Sequence, residues 1–462
     1  MKKKIIYITI ESTNRELDSK ILLALKALKK NYRVVIGQKG YLREFIKDTN
    51  PGIMMLKSIG PSNSLHINYI KNKNFRIVSS DEELVVAMDW EDKIKWRMPI
   101  ENLNKIDLLL AVGETSDYPV FQKNYRSVIE KIYLCGNLRL ELLKQKYRKY
   151  LKEETEYLKK KFGNFILLST SFPRINRLRN KTQIDFVFSR IVESNVDPES
   201  HHIKIENNLI IIQRYILLKT LKFLDNFENN FPGRNLVISP HPNENLDFWI
   251  NYVNKRNFKN IFINKDIHSS GYSLMNASEM IISSNSTTLL EAHFLDKKKI
   301  NLLGEESNFS EMQILKKISK VARSVDELNY LIKYLDKTDF KDSERDELRE
   351  IRNFDNNFDS FENILERFDK FENVNFYDDL FISNYFRILS KIRMFKYMLK
   401  VFFSSIFKLN PWIQLKHTQK IGKKFKKKYF FQSVVKLNSI EKIDSLKIKK
   451  LSKEVFLLDS IH

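Results

Sequence analysis

The chain has 462 residues, with 80 Lys and Arg against 57 Asp and Glu, a net charge of +23 and one cysteine, Cys135. A lone thiol excludes an intramolecular disulfide and any cysteine-rich metal site, and it suits a reducing compartment. The length predicts two domains plus an appendage.

Met1-Lys2-Lys3-Lys4 looks like the start of a signal peptide, but the apolar run behind it, Ile5 to Ile10, stops at Glu11. It therefore reads as a first buried strand. No stretch approaches about eighteen uninterrupted apolar residues, so no transmembrane helix and a cytoplasmic location are expected. Residues 4–10 predict a strand, 19–30 a helix with Ile21, Leu22, Leu25 and Leu28 on one face, and 33–37 a second strand. Further strands are predicted at 52–56, 75–79, 108–112 and 131–135, the βαβ rhythm of a parallel sheet. This gives a first Rossmann-like domain over 1–143 and a charged helical connector over 144–162. A second such domain covers 163–335, with strands at 165–169, 236–238, 261–263, 280–283 and 299–302. Residues 173–208 are polar and irregular. From 336 to 462 the pattern is mainly helical, acidic over 339–369 and then basic.

The basic part is concentrated. Leu380 to Ile440 holds fourteen Lys and Arg and no Asp or Glu, so it supplies +14 of the +23. Phe, Tyr, Met and Leu are interleaved with these cations, as in Met394-Phe395-Lys396-Tyr397-Met398-Leu399-Lys400. Helices of this kind lie in a membrane interface and prefer anionic lipid. Nucleic acid is the rival partner, because aromatics stack on bases, and a solvated tail packed on the body is the plain alternative. The density of large apolar residues favours the membrane surface over nucleic acid.

Two segments carry the chemistry. Leu236-Val237-Ile238 runs into Ser239-Pro240-His241-Pro242-Asn243-Glu244-Asn245. Met280-Ile281-Ile282 runs into Ser283-Ser284-Asn285-Ser286-Thr287-Thr288-Leu289-Leu290-Glu291-Ala292. In an α/β domain ligands bind beyond the carboxyl ends of parallel strands, and a helix beginning there offers free N–H groups and a positive dipole end to an anion. Ser286, Thr287 or Thr288 can cap that helix, and Thr288-Leu289-Leu290-Glu291 fits a capping box. Walker, G-x-G-x-x-G and H-E-x-x-H patterns are absent, as is any metal-spaced set, so no metal and no bound cofactor are expected. Two Rossmann-like halves without the dinucleotide fingerprint point to a sugar-nucleotide enzyme with a cleft between domains.

Five segments in order resemble the bacterial surface carbohydrate biosynthesis proteins, glycosyltransferases of two Rossmann-like domains. They cover about residues 4–335. Glu11 with Arg15-Glu16-Leu17-Asp18-Ser19-Lys20 resembles the family's first strand and helix. Ser80-Asp81-Glu82-Glu83-Leu84 resembles its acidic turn, with Leu84 at the glycine position. Cys135-Gly136-Asn137-Leu138-Arg139 is similar to its G-N-P-R segment, with Leu138 in place of proline. His241 to Asn245 and Ser284 to Ala292 match its H-P-x-E-N and T-T-x-x-E-A elements. The last two also resemble segments of Kdo, sialic acid and polyol-phosphate transferases, which implies a CMP- or CDP-linked donor.

The fold class expected is therefore α/β, with two Rossmann-like domains facing a cleft (the GT-B arrangement) and a mainly helical, basic C-terminal extension. The activity expected is glycosyl transfer from a nucleotide sugar, CMP-linked favoured and UDP-linked second, to a glycan or lipid-linked acceptor. His241 is placed to stabilise the leaving nucleotide. Glu244 and Asn245 hold ribose or base, or begin the next helix. Ser284, Asn285, Ser286, Thr287 and Thr288 suit phosphate, and Glu291 suits ribose hydroxyls. Asp81, Glu82 and Glu83 are the carboxylates for acceptor deprotonation or sugar-cation stabilisation. Arg15, Asp18, Asn137 and Arg139 form the acceptor or sugar set, and Asp18 doubles as a helix cap. The enzyme is expected at the inner face of the plasma membrane, held through residues 380–440, without nucleic acid. A sugar-nucleotide epimerase on the same fold and a non-catalytic membrane-associated scaffold remain open.

Overall fold

Short runs of valine, isoleucine and leucine bounded by polar turns form parallel strands when both faces of the sheet are covered. In the computed structural model, which describes residues 2–81, 83–87, 89–177, 201–265, 271–304, 312–337, 350–372, 374–406 and 427–460, such runs build two sheets. The first contains β1 (Lys4–Ile10), β2 (Tyr32–Gln38), β3 (Ile53–Leu56), β4 (Arg76–Ser79), β5 (Leu108–Ala111) and β6 (Ile132–Leu134). They run parallel in the order β2-β1-β3-β4-β5-β6. The second contains β7 (Phe165–Ser169), β8 (Asn235–Ser239), β9 (Ile261–Ile263), β10 (Met280–Ser283), β11 (Lys298–Leu302) and β12 (Lys320–Ala322). It is parallel throughout, in the order β12-β11-β10-β7-β8-β9. The chain divides into two units, the first drawn from 1–85, 89–150 and 344–462, the second from 86–88 and 151–343.

In the first unit the Thr13–Lys29 helix begins earlier than the sequence predicts. The Glu16 carboxylate reaches back to the N–H groups of Glu11 and Ser12, at 3.0 and 3.2 Å, and so holds the turn into the helix. Leu17, Ile21, Leu22, Leu25 and Leu28 are fully buried, the stripe expected of an amphipathic helix packed on a sheet.

The C-terminal part departs from the sequence prediction of a separate extension. Helices occupy Ser360–Asp369, Asn384–Ile406 and Lys427–Glu441, but a hairpin follows, β13 (Leu446–Ser452) and β14 (Val455–Ser460). β14 pairs antiparallel with β2, which makes the first sheet eight-stranded among the described residues. Phe456 stacks on Phe430 with ring centroids 4.0 Å apart. Asp459 accepts from Lys3 at 2.7 Å and from Arg33 at 3.0 Å. Lys447, Lys449 and Lys450 make β13 read as a solvated tail, although an edge strand carries lysine well.

Within 173–208, the sequence predicts irregular chain, yet the His201–Asn230 helix begins there; residues 178–200 lie outside the described part.

Candidate functional site

In the second unit the chain builds β7, β8 and β9 in one direction, then returns to lay β10, β11 and β12 on the other side of β7. The order therefore reverses between β7 and β10, and a ligand crevice opens at the carboxyl ends of strands at such a reversal. Three serines stand in register there: Ser283 opposite Ser169, and Ser169 opposite Ser239. Ser283 Oγ donates to the Ser169 carbonyl at 2.8 Å. Beyond β10, Asn285 takes a left-handed conformation with φ 42°. Its N–H donates to Asn301 Oδ1 at 2.9 Å, and its own Oδ1 accepts from the Met312 N–H at 3.0 Å. These bonds fix the turn that aims Ser284, Ser286, Thr287 and Thr288, all half-buried, past the strand end.

The helix that follows is Thr287–Phe294, and its cap is Ser286, whose Oγ accepts from the Thr288 N–H at 3.3 Å. Of the caps expected at Ser286, Thr287 or Thr288 the first is formed, and the capping box from Thr288 to Glu291 is not. Thr288 lies inside the first turn, its hydroxyl 3.2 Å from Ser286 Oγ and 3.5 Å from Ser169 Oγ. Glu291 lies in the second turn and is buried, at 7% exposure.

His241 and Glu244 sit one strand over, beyond β8. Glu244 is 3% exposed. Its carboxylate accepts from Phe172 N–H at 2.8 Å, Trp249 Nε1–H at 2.9 Å, Thr170 Oγ–H at 2.9 Å, Asn176 Nδ2–H at 3.3 Å and His241 N–H at 3.3 Å. Burial pushes this carboxyl up from its ordinary pKa while the Phe172, Trp249, Thr170 and Asn176 bonds pull it down. A carboxylate so occupied organises the loop that leads into the next helix, the second of the two roles expected for it. Asn245 caps the Leu246–Arg256 helix, also the second of its expected roles: its Oδ1 accepts from the Asp247 N–H at 3.1 Å. His241 is different. It is half-buried, and its Nδ1 accepts from the Asn243 N–H at 3.1 Å. That bond places the proton of the neutral ring on Nε2. Glu244 holds the backbone of His241 from below, so the ring rides on a rigid turn.

The first unit has a reversal of its own, between β1 and β3. Each strand end there carries a charge: Glu11 after β1, Lys57 after β3, Asp81 and Glu83 after β4. Lys57, 8% exposed, lies 3.2 Å from Glu11, 3.4 Å from Glu16 and 3.2 Å from Glu83. Burial would lower its pKa, but Glu16, Glu83 and Glu11 together raise it above the ordinary value. Glu11 also meets Lys39 at 2.6 Å. Burial pushes its carboxyl up, yet Lys57 and Lys39 prevail and hold it at about 2.

Asp81, 3% exposed, is gripped by Arg97 through two bonds of 2.8 Å, and burial raises its pKa against the pull of that guanidinium. Glu83 bridges Lys57 and Arg97, the latter at 2.9 Å, with its side chain 46% exposed. Of the three carboxylates predicted for catalysis, Glu83 is open to solvent, Asp81 is locked in an ion pair, and Glu82 lies outside the described residues.

Asn137 and Arg139 are 5% and 3% exposed. Asn137 caps the Leu138–Leu142 helix, and its N–H donates to Asn353 Oδ1 at 2.6 Å. Gly136 has φ +72°, and an added Cβ would press on the same Asn353 side chain, so this segment is a packing joint. Asp18 lies inside the Thr13–Lys29 helix and is not its cap. The Arg15 side chain lies outside the described residues.

Sequence reasoning missed Lys57, Lys39 and Arg97. The available signal was position: Lys57 is the first residue beyond a fully apolar strand, which puts a charge at the ligand edge. Among the described residues no group of three or more His, Cys, Asp or Glu could hold a metal ion, and no helix is long and apolar enough to cross a membrane.

No protein-family model matches the chain, and no curated protein matches it by sequence. Solved structures match its fold. A UDP-N-acetylglucosamine 2-epimerase superposes with TM-score 0.52 at 12% identity, covering 79% of this chain and 95% of that one. The UDP-GlcNAc 2-epimerase of Methanocaldococcus jannaschii superposes with TM-score 0.50 at 12% identity, covering 79% and 99%. At that identity the likeness is one of fold: the chain is α/β, with two Rossmann-like units of the GT-B class.

Proposed function

We propose that this protein is a glycosyltransferase of surface polysaccharide biosynthesis. Its donor is a nucleotide-activated sugar, CMP-linked of the Kdo or nonulosonate kind by preference and UDP-linked as the second candidate. The observation that carries the reading is the strand reversal of the second unit. There Ser169, Ser284, Ser286 and Thr287, with the start of the Thr287–Phe294 helix, stand beside a histidine held by Glu244. Hydroxyls and a helix N-terminus hold phosphate. An Nε2–H donor stabilises the charge that grows on the leaving nucleotide. Glu83 is the general base toward an acceptor hydroxyl, with Lys57 and Arg97 fixing its position. The acceptor is a glycan or lipid-linked sugar met at the cytoplasmic face of the plasma membrane, where the basic tail contacts anionic lipid.

A second reading is an epimerase acting on a UDP-sugar, favoured by the likeness in fold to two UDP-GlcNAc 2-epimerases. A thermal-shift series on the full chain with CMP, CDP, UDP and GDP, repeated on His241→Ala, separates the readings. Stabilisation by a cytidine nucleotide that vanishes in the variant supports the transferase. Preference for UDP, with turnover of UDP-GlcNAc in the absence of acceptor, supports the epimerase. No shift with any nucleotide in folded protein refutes both and leaves the scaffold.

A further inference from the structure

The Asn384–Ile406 helix carries two apolar faces, and the fold uses one. Ser390, Met394 and Val401 are 2%, 6% and 7% exposed and face the body of the first unit. Arg393 on the same helix pairs with Asp48 at 3.1 Å, and Tyr397 packs edge-on against Tyr41 with centroids 5.0 Å apart. The helix is therefore anchored along its length.

On the opposite side, Tyr385, Ile388, Ile392, Phe395, Leu399 and Phe402 recur at alternating spacings of three and four. Tyr385 is 65% exposed, Ile388 58%, Ile392 48%, Phe395 56% and Phe402 56%. A soluble surface tolerates single exposed apolar residues, but an ordered row of them marks a contact. Exposed cations border the row, Lys391 along one side and Lys396 and Lys400 along the other.

We propose that this row is a lipid-docking face, which lays the first unit on an anionic membrane surface with the helix axis in the plane of the interface. The inference rests on the membrane-surface reading above and names the face that makes the contact. Charge selects the occupant. The helix carries five cations and no acid, so a second copy seated on the same row would bring like charges together, whereas anionic headgroups complement them. Ile388, Ile392 and Leu399 have no ring to stack on a base, which disfavours nucleic acid. Residues 407–426 of the basic segment lie outside the described part.

The test is co-sedimentation of the full chain with phosphatidylcholine vesicles, with and without about 30% phosphatidylglycerol, an anionic fraction large enough to set a surface potential. Two triple variants accompany it: Ile388→Ser, Ile392→Ser, Phe395→Ser, and Lys391→Glu, Lys396→Glu, Lys400→Glu. All six side chains point to solvent, so circular dichroism and melting should match the wild type. Wild type is expected to bind the anionic vesicles and to release in high salt. Each cation near such a surface contributes about fivefold, so the charge variant should lose at least about 100-fold in affinity. The apolar variant should lose about as much.

Wild-type binding that both variants retain overturns this face and leaves the membrane reading standing, carried elsewhere in the basic segment. Absence of wild-type binding overturns face and reading together. A concentration-dependent dimer by light scattering, abolished in the apolar variant while vesicles are ignored, assigns the row to a second copy and also overturns the proposal.

Discussion

Glu244 and His241 are three residues apart, and the structure predicts different phenotypes for them. Glu244→Ala removes the acceptor for Phe172 N–H, Trp249 Nε1–H and Thr170 Oγ–H, all buried. Each orphaned buried donor costs about 1–3 kcal/mol, partly offset if water enters the vacated space. The expected loss is on the order of 3–5 kcal/mol. At about 2–4 °C per kcal/mol for a unit of this size, melting of the second unit should fall by roughly 10 °C. Glu244→Gln keeps one acceptor oxygen but turns an NH2 group toward donors, so it should fall between. His241→Ala loses the half-buried bond from Asn243 N–H, a loss of about 0.5–1 kcal/mol. It should melt near wild type while losing the nucleotide-induced shift, whereas Glu244→Ala should lose both. The assay is differential scanning fluorimetry with urea titration as a check. A Glu244→Ala melt within about 1 °C of wild type, less than one kcal/mol of effect, refutes the buried hub. A full nucleotide shift in His241→Ala refutes the phosphate contact.

Arg97→Met leaves the Asp81 carboxylate buried without its bidentate partner and should destabilise the first unit by about 3–5 kcal/mol in urea titrations. Glu11 titrates at about 2 in the fold, below its ordinary 4.5, so between those values the unfolded chain binds more protons than the folded one. Its contribution, on the order of 3 kcal/mol, is present above about pH 4.5 and is lost as the pH falls toward 2. Urea midpoints of wild type and Lys57→Met should therefore differ most near neutrality and converge in acid; a constant difference across that range refutes the coupling.

Eleven of the fourteen described strands were legible because each is a short, mostly apolar run that burial on both faces explains, Ile5 to Ile8 and Met280 to Ile282 among them; β12, β13 and β14, which carry lysine or lie in the basic tail, were not predicted. The loop chemistry beyond β8 and β10 was legible for the same reason, since a strand end fixes what comes next. Roles were harder to read. Glu244 and Asn245 look like ligands in a motif, but a local motif does not say whether a carboxylate points outward or down. Thr170, Phe172, Asn176 and Trp249 decide that, and they come from other segments of the second unit. Asn137 was misread in the same way, because its partner Asn353 lies 216 residues further along the chain. Lys57 was marked only by its position just beyond a strand and Arg97 by nothing local; their meaning comes from four carboxylates, Glu11, Glu16, Asp81 and Glu83, that the fold gathers around them.

The same non-locality governs how the tail must be tested. Its composition invites removal of everything after about residue 375 to obtain a soluble core. The fold predicts that this fails. Val455, Phe456 and Leu458 in β14, with Phe430, Val434 and Leu437 in the Lys427–Glu441 helix, are at most 1% exposed. Burial of each side chain contributes about 1.5–3 kcal/mol. Together they come to about 9–18 kcal/mol, as large as the roughly 5–15 kcal/mol by which a domain is stable. Truncation would also strip β2 of its partner, leaving a bare, apolar sheet edge of the kind that aggregates. The truncated chain should therefore be insoluble or molten, with a broad melt and dye binding. If it were instead monomeric with an unchanged first-unit transition, β14 would be an appendage after all. With β14 integral to the sheet, loss of vesicle binding on truncation would report unfolding and not the removal of a lipid anchor, which is why the docking face must be tested by surface substitutions in the full chain.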